Sequence, residues 1–313
     1  MIQEVQEHGA GDAHVGAPEA HAAEGCAGAH AEEWGADAML HHVQDASYWD
    51  LSPLGCLEFP TFPAFQVAGI TIDLSITKHV LFLMLASLGT IATMWIAARA
   101  SARLDHAAKA PRGTLNIVEA FYLFIRDEVV MANIGRGGER FAPLIITLFF
   151  FILYANLLGL LPWGATATGN IMVTGALALV ALVVIESAGF AALGPKGYAK
   201  TIFFLPPGLP GPLKPVLLAV LAPVEFIGKF SKIIALAIRL FANMTAGHFV
   251  VLALMGLIVT YGSFTHPVGL VSIAGSLALG LFVMLLEIFI AFVQAYIFAM
   301  LVAVFTGLIR HAH

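Results

Sequence analysis

The chain contains 313 residues, of which 59% are hydrophobic and only 11% are charged, and its mean hydropathy is +0.89. Soluble domains carry about 25% charged residues, so this composition excludes an ordinary soluble protein. The apolar segments are each about 20 residues or longer, the length that a helix needs to cross a bilayer. We therefore expect an all-α integral membrane protein. The formal net charge of −5 is informative only through its distribution along the chain.

The N-terminal region, residues 1–75, is acidic and rich in His, Ala and Gly. Residues 1–77 contain no Lys or Arg, but they hold 12 Asp and Glu residues and 6 of the 12 histidines. This low complexity predicts a largely disordered segment, which we place outside the cytoplasm. The histidines lack a tight ligand spacing with Cys or carboxylates, so we expect no metal site. Cys26 and Cys56 both lie here and could pair in an oxidising compartment.

Five apolar stretches predict membrane-crossing helices. They cover residues 79–98, 141–161, 171–193, 216–261 and 268–309. Residues 114–134 are too polar to cross, but their apolar residues recur at helical spacing, which predicts one amphipathic helix lying at the interface. Residues 205–215 are rich in Pro and Gly and predict a loop.

The last two stretches are much longer than a membrane requires. A helix covering residues 216–261 would be about 69 Å long, whereas the hydrocarbon core of a bilayer is about 30 Å thick. No proline interrupts this stretch after Pro223. We therefore predict two long, steeply tilted helices that form a hairpin, with the turn at residues 262–267.

The positions of Lys and Arg predict the orientation in the membrane. Residues 99–140 contain seven of them and residues 194–215 contain three, whereas the predicted loops 162–170 and 262–267 contain none. The positive-inside rule then places the N-terminus outside and the C-terminus in the cytoplasm. Five crossings satisfy this arrangement.

The sequence LAIRLFANMTAGH, residues 236–248, places Arg239 in the middle of an apolar helix. A guanidinium group stays charged under ordinary conditions, and burying it at the bilayer centre costs at least about 2.5–3.5 kcal/mol. Arg239 is too far from either end of the stretch for its side chain to reach water easily. This position therefore indicates a functional charge.

The two predicted hairpin helices carry polar residues that face each other. In an antiparallel pair, facing residues have a constant sum of residue numbers. Pairing His248 with Glu287, and Arg239 with Gln294, places the centre of the hairpin near Pro267 in both cases. We therefore predict that these groups meet in pairs at two depths.

Polar residues on the first hairpin helix fall on one stripe at 100° per residue. They are Glu225, Lys232, Arg239 and Asn243. His248 lies about half a turn away from Arg239 and should face a different neighbour. This pattern predicts two polar paths rather than one.

Two segments, RLFANMTAGH (239–248) and EIFIAFVQAYIF (287–298), resemble subunit a of the F-type rotary ATP synthases. NLLGLLP (156–162) and PVEFIGKFSK (223–232) match as well, and the resemblance covers about residues 76–310. It implies that residues 76–313 form a transmembrane channel domain in the membrane sector of the complex. The implied function is that of a non-catalytic, proton-translocating stator subunit with two aqueous half-channels.

The resemblance also implies partners and a location. The expected partners are the c-subunit ring, the b-type peripheral stalk subunits and membrane lipid, with no cofactor. The expected location is the bacterial inner membrane or the inner membrane of an organelle.

The resemblance implies a proton-translocation role for Arg239, His248, Glu287, Asn243, Gln294, Glu225 and Glu186. The arginine would face the c-ring and keep the half-channels separate. His248 and Glu287 would line the outer half-channel, with the two residue types exchanged relative to many bacterial members. Gly159 stands where some members carry an acid, so that position should contribute no titrating group.

The polar residues of the outer half also have a structural interpretation. His248 and Glu287 could form an ordinary hydrogen bond between helices. Asn243 and Gln294 are residue types that often connect membrane helices by hydrogen bonds.

The cytoplasmic acids have a similar alternative. Glu225 precedes Lys229 by four residues, which is the favourable order for an ion pair on a helix. Glu186 lies near the cytoplasmic end of its span and could simply reach water. The sequence alone leaves these alternatives open.

A secondary transporter or antiporter is the alternative function, because such proteins also carry charged residues inside the membrane. Transporter folds usually contain inverted repeats and matching broken helices. The five stretches here differ in length and polarity, and no segment repeats. A purely structural assembly subunit would not need a central arginine.

Overall fold

Seven α-helices make up most of the described chain. The computed structural model describes residues 43–51, 55–63, 65–67, 70–73, 75–104, 114–161, 164–202 and 213–310. The helices are α1 (Lys78–Leu104), α2 (Thr114–Phe124), α3 (Ala132–Ile134), α4 (Ala142–Gly159), α5 (Ile171–Ile202), α6 (Leu213–Tyr261) and α7 (Pro267–Arg310). A π-helical segment, Ile125–Met131, joins α2 to α3, and 3₁₀ turns lie at Gly138–Arg140 and Ala167–Gly169.

Five of the described helices are long and apolar enough to cross a membrane. The candidate spans are Lys78–Arg99, Ala142–Gly159, Ile171–Thr201, Pro215–Tyr261 and Pro267–Arg310. Each overlaps one predicted stretch, and only the third extends well beyond its predicted end. The prediction of an all-α membrane protein with five crossings is confirmed.

The predicted amphipathic helix is also present. The π-helical segment continues α2 into α3, so residues 114–134 form one nearly continuous helical unit. Ile125, Val129 and Ile134 are fully buried, whereas Asp127 and Glu128 are exposed on the other side. The unit therefore packs its apolar side onto the bundle.

Helix α5 bends where the third span was predicted to end. Gly194 has a φ of 67° and a ψ of 174°, and Pro195 follows it. A φ in this range favours glycine, and proline removes a helical hydrogen bond. The chain nevertheless resumes its helical path to Ile202, which forms a short extension beyond the bend.

The Pro/Gly-rich segment lies mostly outside the described residues. Residues 203–212 are not described, and α6 begins at Leu213, so its first turn includes Pro215. Proline is tolerated in a first turn because the amide there has no helical acceptor. Helix α6 then continues without a break to Tyr261.

Helices α6 and α7 form the predicted antiparallel hairpin. Ser272 Oγ donates to the Leu257 carbonyl at 3.3 Å near the turn, and Asn243 Nδ2 donates to Gln294 Oε1 at 2.9 Å farther along. Both pairs are centred within a few residues of Pro267, as predicted. With 49 and 44 residues, the helices are about 73 and 66 Å long, so a single crossing of a 30 Å core requires a strong tilt.

The main core lies where α4, α5, α6, α7 and the π-helical segment meet. Phe149, Phe298, Ile145 and Leu240 have no exposed surface. Full burial of an aromatic or branched side chain contributes about 1.5–3 kcal/mol relative to leaving it in water. The core thus packs one side of the hairpin against α4, α5 and the π-helical segment.

Part of the N-terminal region forms two small hairpins. Strand β1 (Tyr48–Asp50) pairs antiparallel with β2 (Cys56–Glu58), and β3 (Phe65–Val67) pairs with β4 (Ile70–Ile72). Most of the segment predicted to be disordered, residues 1–42, lies outside the described residues. For that part, disorder stays a prediction.

The first hairpin is attached to the membrane helices. The Trp49 ring packs edge-on against Phe82 of α1, with 5.5 Å between the ring centroids. Cys56 is disulfide-bonded, and Cys26 lies outside the described residues. The first hairpin is therefore packed against the N-terminal part of α1.

Candidate functional site

Arg239 projects from the exposed side of α6. The predicted stripe is confirmed, because Glu225, Lys232, Arg239 and Asn243 are all exposed. Leu240, the next residue along the helix, is fully buried and lies about 100° around the helix from Arg239. None of the ion pairs between described residues involves Arg239. A charged group thus faces outward from the middle of a membrane helix, where it needs an anionic partner or water.

Gln294 connects α7 to α6 one turn away from this arginine. Its Oε1 accepts a hydrogen bond from Asn243 Nδ2 at 2.9 Å, and its side chain is buried, with 1% of its surface exposed. The predicted pairing of Gln294 with Arg239 is therefore wrong. Arg239 points outward, so the helix presents Asn243, one turn later, to Gln294. The amide pair fixes the register of the hairpin beside the exposed charge.

Glu287 lies against the backbone of α6, between Arg239 and the turn of the hairpin. Its side chain is buried, and a β-carbon added to Gly247 would overlap its Oε1 atom. His248 is the next residue of α6, so the carboxylate and the imidazole lie at a similar level of the hairpin, and their direct pairing stays a prediction. Any side chain at position 247 would therefore displace the Glu287 carboxylate from its present place.

His248 also contacts the connection between α4 and α5. Its Nδ1 lies 3.1 Å from Thr166 Oγ1, and Thr166 is buried. The sequence interpretation gave His248 a neighbour different from that of Arg239, but it did not identify Thr166. The available signal was a short polar sequence, ATATGN, between two apolar spans.

A buried hydrogen-bond network holds this connection in place. Thr168 Oγ1 donates to Asn156 Oδ1 at 2.9 Å, and Asn156 Nδ2 donates to the Ala291 carbonyl at 3.3 Å. A β-carbon at Gly159 would lie only 2.9 Å from Thr166 Oγ1. The network ties the connection to both α4 and α7.

A second polar cluster lies on the other side of Arg239, toward the N-terminal end of α6. Glu186 accepts a hydrogen bond from the Tyr198 hydroxyl, and Lys229 Nζ lies 3.4 Å from Glu186 Oε2. The Lys229 ammonium also lies 4.7 Å from the centroid of the Tyr198 ring. Lys229 thus pairs with Glu186 rather than with Glu225, so the ion pair expected from helical spacing is not formed.

Along α6, Arg239 lies far from the polar residues on both of its sides. His248 is nine residues from Arg239, or about 14 Å along the axis, and Glu225 is fourteen residues away on the other side, or about 21 Å. These separations are too long for the Arg239 side chain to connect the two clusters by direct contact. The arrangement defines a class of protein: a multi-pass helical membrane protein with an outward-facing arginine between two polar clusters.

Comparison with known proteins identifies the family. Residues 80–307 match the family model described as "ATP synthase A chain", so this chain belongs to that family. ATP synthase subunit a 2 of Chlorobaculum tepidum is 43% identical over 296 residues, which cover 94% of this chain and 79% of the relative. ATP synthase subunit a of Myxococcus xanthus is 47% identical over 276 residues, which cover 85% of each chain.

Proposed function

We propose that this chain is the proton-translocating stator subunit of an F-type ATP synthase, located in a bacterial inner membrane. Its relatives are named as ATP synthase subunit a, and family membership does not favour the transporter alternative. The observation that carries the proposal is the exposed Arg239, which has no ion-pair partner among the described residues. Such a charge is stable inside a membrane only beside an anion or in contact with water.

The outer half-channel leads to Glu287 and His248. Histidine titrates near neutral pH, and a desolvated carboxylate can do so as well. Protons from outside reach these groups and pass to a carboxylate on a c-subunit. Asn243 and Gln294 hold the two helices in register at the depth where this transfer takes place.

Arg239 separates the two paths by its fixed charge. It attracts an unprotonated carboxylate of the passing c-subunit and repels a proton that moves directly between the half-channels. One elementary charge crossing 100 mV releases about 2.3 kcal/mol. This energy reaches the ring only if the direct path is closed.

The cytoplasmic half-channel is lined by Glu225, with Glu186 behind it. Glu225 is exposed on the same side of α6 as Arg239, so it can receive a proton from a passing c-subunit. Lys229 Nζ lies 3.4 Å from Glu186 Oε2, so Glu186 contributes to the wall of this path as part of an ion pair.

The exposed surfaces of the helix bundle also suggest where the partner subunits bind. The c-ring contacts the exposed stripe of α6, and the b-type stalk subunits hold the opposite side of the bundle together with lipid. The N-terminus lies outside and the C-terminus in the cytoplasm. The subunit carries no catalytic group for ATP chemistry, which takes place elsewhere in the complex.

Arg239→Ala tests this function. We expect the variant to lose ATP-driven acidification of inverted membrane vesicles, while the amount of subunit in the membrane is unchanged, because only the charge barrier is removed. Passive proton leak should persist or rise. Arg99→Ala is the matched control, since Arg99 is an exposed arginine at the end of the first span. Acidification by Arg239→Ala at the rate of Arg99→Ala would show that the assigned role is wrong.

A further inference from the structure

Thr166 lies beside His248 but has no role in the mechanism proposed above. It is buried, and its hydroxyl lies 3.1 Å from His248 Nδ1. We propose that Thr166 is a positioning residue that orients the His248 ring for proton transfer in the outer half-channel. This proposal rests on the proposed function of His248, and it adds a residue to that site.

The chemistry of a hydroxyl suits this task. A threonine hydroxyl can both donate and accept a hydrogen bond. It donates to Nδ1 when that nitrogen carries no proton, and it accepts from Nδ1–H when the imidazole is protonated. The ring therefore keeps one orientation in both protonation states, and its Nε2 atom stays directed at the same place.

The backbone around Thr166 is held firmly enough for this role. Thr168, two residues later, is tied by Asn156 to the Ala291 carbonyl. Ala165 and Ala167, on either side of Thr166, pack in one apolar cluster with Phe82. The hydroxyl is thus held between α4 and α6 by contacts on several sides.

Gly159 shows how little room the arrangement allows. A β-carbon there would lie 3.0 Å from the Thr166 Cα and 2.9 Å from its Oγ1. Any side chain at position 159 must therefore push the Thr166 backbone, and the hydroxyl with it, away from its present position. Glycine at 159 and threonine at 166 act together to place the hydroxyl beside His248.

A double-mutant cycle in the intact ATP synthase tests the proposal. The variants are Thr166→Val, which is nearly isosteric but has no hydroxyl, His248→Ala and the double variant, each measured as ATP-driven acidification of inverted vesicles. We expect Thr166→Val to lower the rate about tenfold, as for a buried group that loses its partner. In the His248→Ala background, Thr166→Val should have no further effect, because the residue acts through the imidazole.

A rescue variant separates positioning from folding. Thr166→Ser keeps the hydroxyl and should restore most of the rate, whereas a residue needed only for packing would not be rescued in this way. Gly159→Ala should slow pumping as Thr166→Val does. Gly175→Ala is its control, since among the described residues no atom outside the local helix lies within 4 Å of a β-carbon there.

The outcomes distinguish this proposal from the function on which it rests. If His248→Ala is slow and Thr166→Val pumps at the wild-type rate, the positioning role is overturned while the function stands. If the losses of Thr166→Val and His248→Ala multiply in the double variant, Thr166 does not act through His248. If His248→Ala itself pumps normally, the proposed role of His248 fails first.

Discussion

At the scale of single residues, Gly247 shows how the hairpin brings a carboxylate close to α6. A β-carbon at this position would overlap the Glu287 carboxylate. Glycine usually weakens a helix by about 1 kcal/mol relative to alanine, so its presence in the middle of α6 is unfavourable for the helix alone. The close approach of Glu287 to the α6 backbone explains why the residue is needed here.

Gly247→Ala should therefore behave unlike an ordinary substitution in a helix. The added methyl group must displace Glu287 from its place beside His248, so we expect at least a tenfold loss of ATP-driven proton pumping. Gly175→Ala should be neutral or slightly stabilising, because alanine favours the helix and the space is open. Equal pumping by the two variants, at equal amounts of subunit, would contradict this role for Gly247.

At the scale of elements, the extension beyond the bend of α5 is fixed by a small polar cluster. Gly194 turns the chain, and Tyr198 in the extension donates to Glu186 before the bend. Lys229 of α6 contacts both. The cluster links the two parts of α5 to the hairpin helix, so it sets the position of the extension relative to α6.

Lys229→Met should loosen this link. It leaves the partly buried Glu186 carboxylate with only the Tyr198 hydroxyl, at a cost of about 1–3 kcal/mol. We expect the membrane sector to lose this subunit at a lower temperature on heating, and Glu186→Gln in the same chain to recover part of the loss. Lys196→Met, at an exposed position of the extension, is the control. A dissociation temperature equal to that of the control would show that the cluster is not a structural link.

The elements differ in how well the sequence predicts them. Hydrophobic length predicts the spans because that signal is local, but the third span was predicted to end before Gly194 and Pro195, whereas the helix resumes beyond them. The partner of Gln294 was predicted wrongly and the partner of Lys229 was left open, since each depends on which side of α6 faces α7 or α5. Residue spacing gives the relative angle of two side chains on a helix, but it does not give the rotation of that helix against its neighbours.

The contact between Thr166 and His248 could not be read from the sequence for a related reason. The two residues are separated by 82 positions, and the connection between α4 and α5 has no periodic pattern that fixes its path. The arginine, by contrast, is identifiable because a charge inside an apolar helix is costly wherever the helix points. The sequence thus predicts a site residue whose burial in a membrane is costly in any orientation of the helix. It does not predict contacts that depend on how the helices pack.

At the scale of the whole molecule, the proposed orientation assigns each turn to one side of the membrane. The turn between α6 and α7 contains Phe264, which is 83% exposed, and it should face outside. The turn before α4 contains Glu139, whose side chain is 72% exposed, and it should face the cytoplasm. The positive-inside rule is the basis for both assignments.

Single cysteines at these two turns test the orientation. In a chain with Cys26→Ser and Cys56→Ser, we expect Phe264→Cys to react with a membrane-impermeant maleimide in right-side-out vesicles only. Glu139→Cys should react only in inverted vesicles. The reverse pattern would mean that the N-terminus lies in the cytoplasm, and the assignment of the outer and cytoplasmic half-channels would have to be exchanged.

The exposed side of α6 has a consequence for the mechanics of the complex. Around Arg239 it carries four small side chains, Ser231, Ala235, Ala242 and Ala246, in addition to Lys232 and Asn243. Helices that are meant to stay together interlock, because the ridges of one enter the grooves of the other. The small side chains leave few ridges around the guanidinium, so the proposed c-ring would meet little resistance as it turns past this part of α6. In the proposed complex, the small side chains that leave the guanidinium accessible would also make this part of the helix a low-friction bearing.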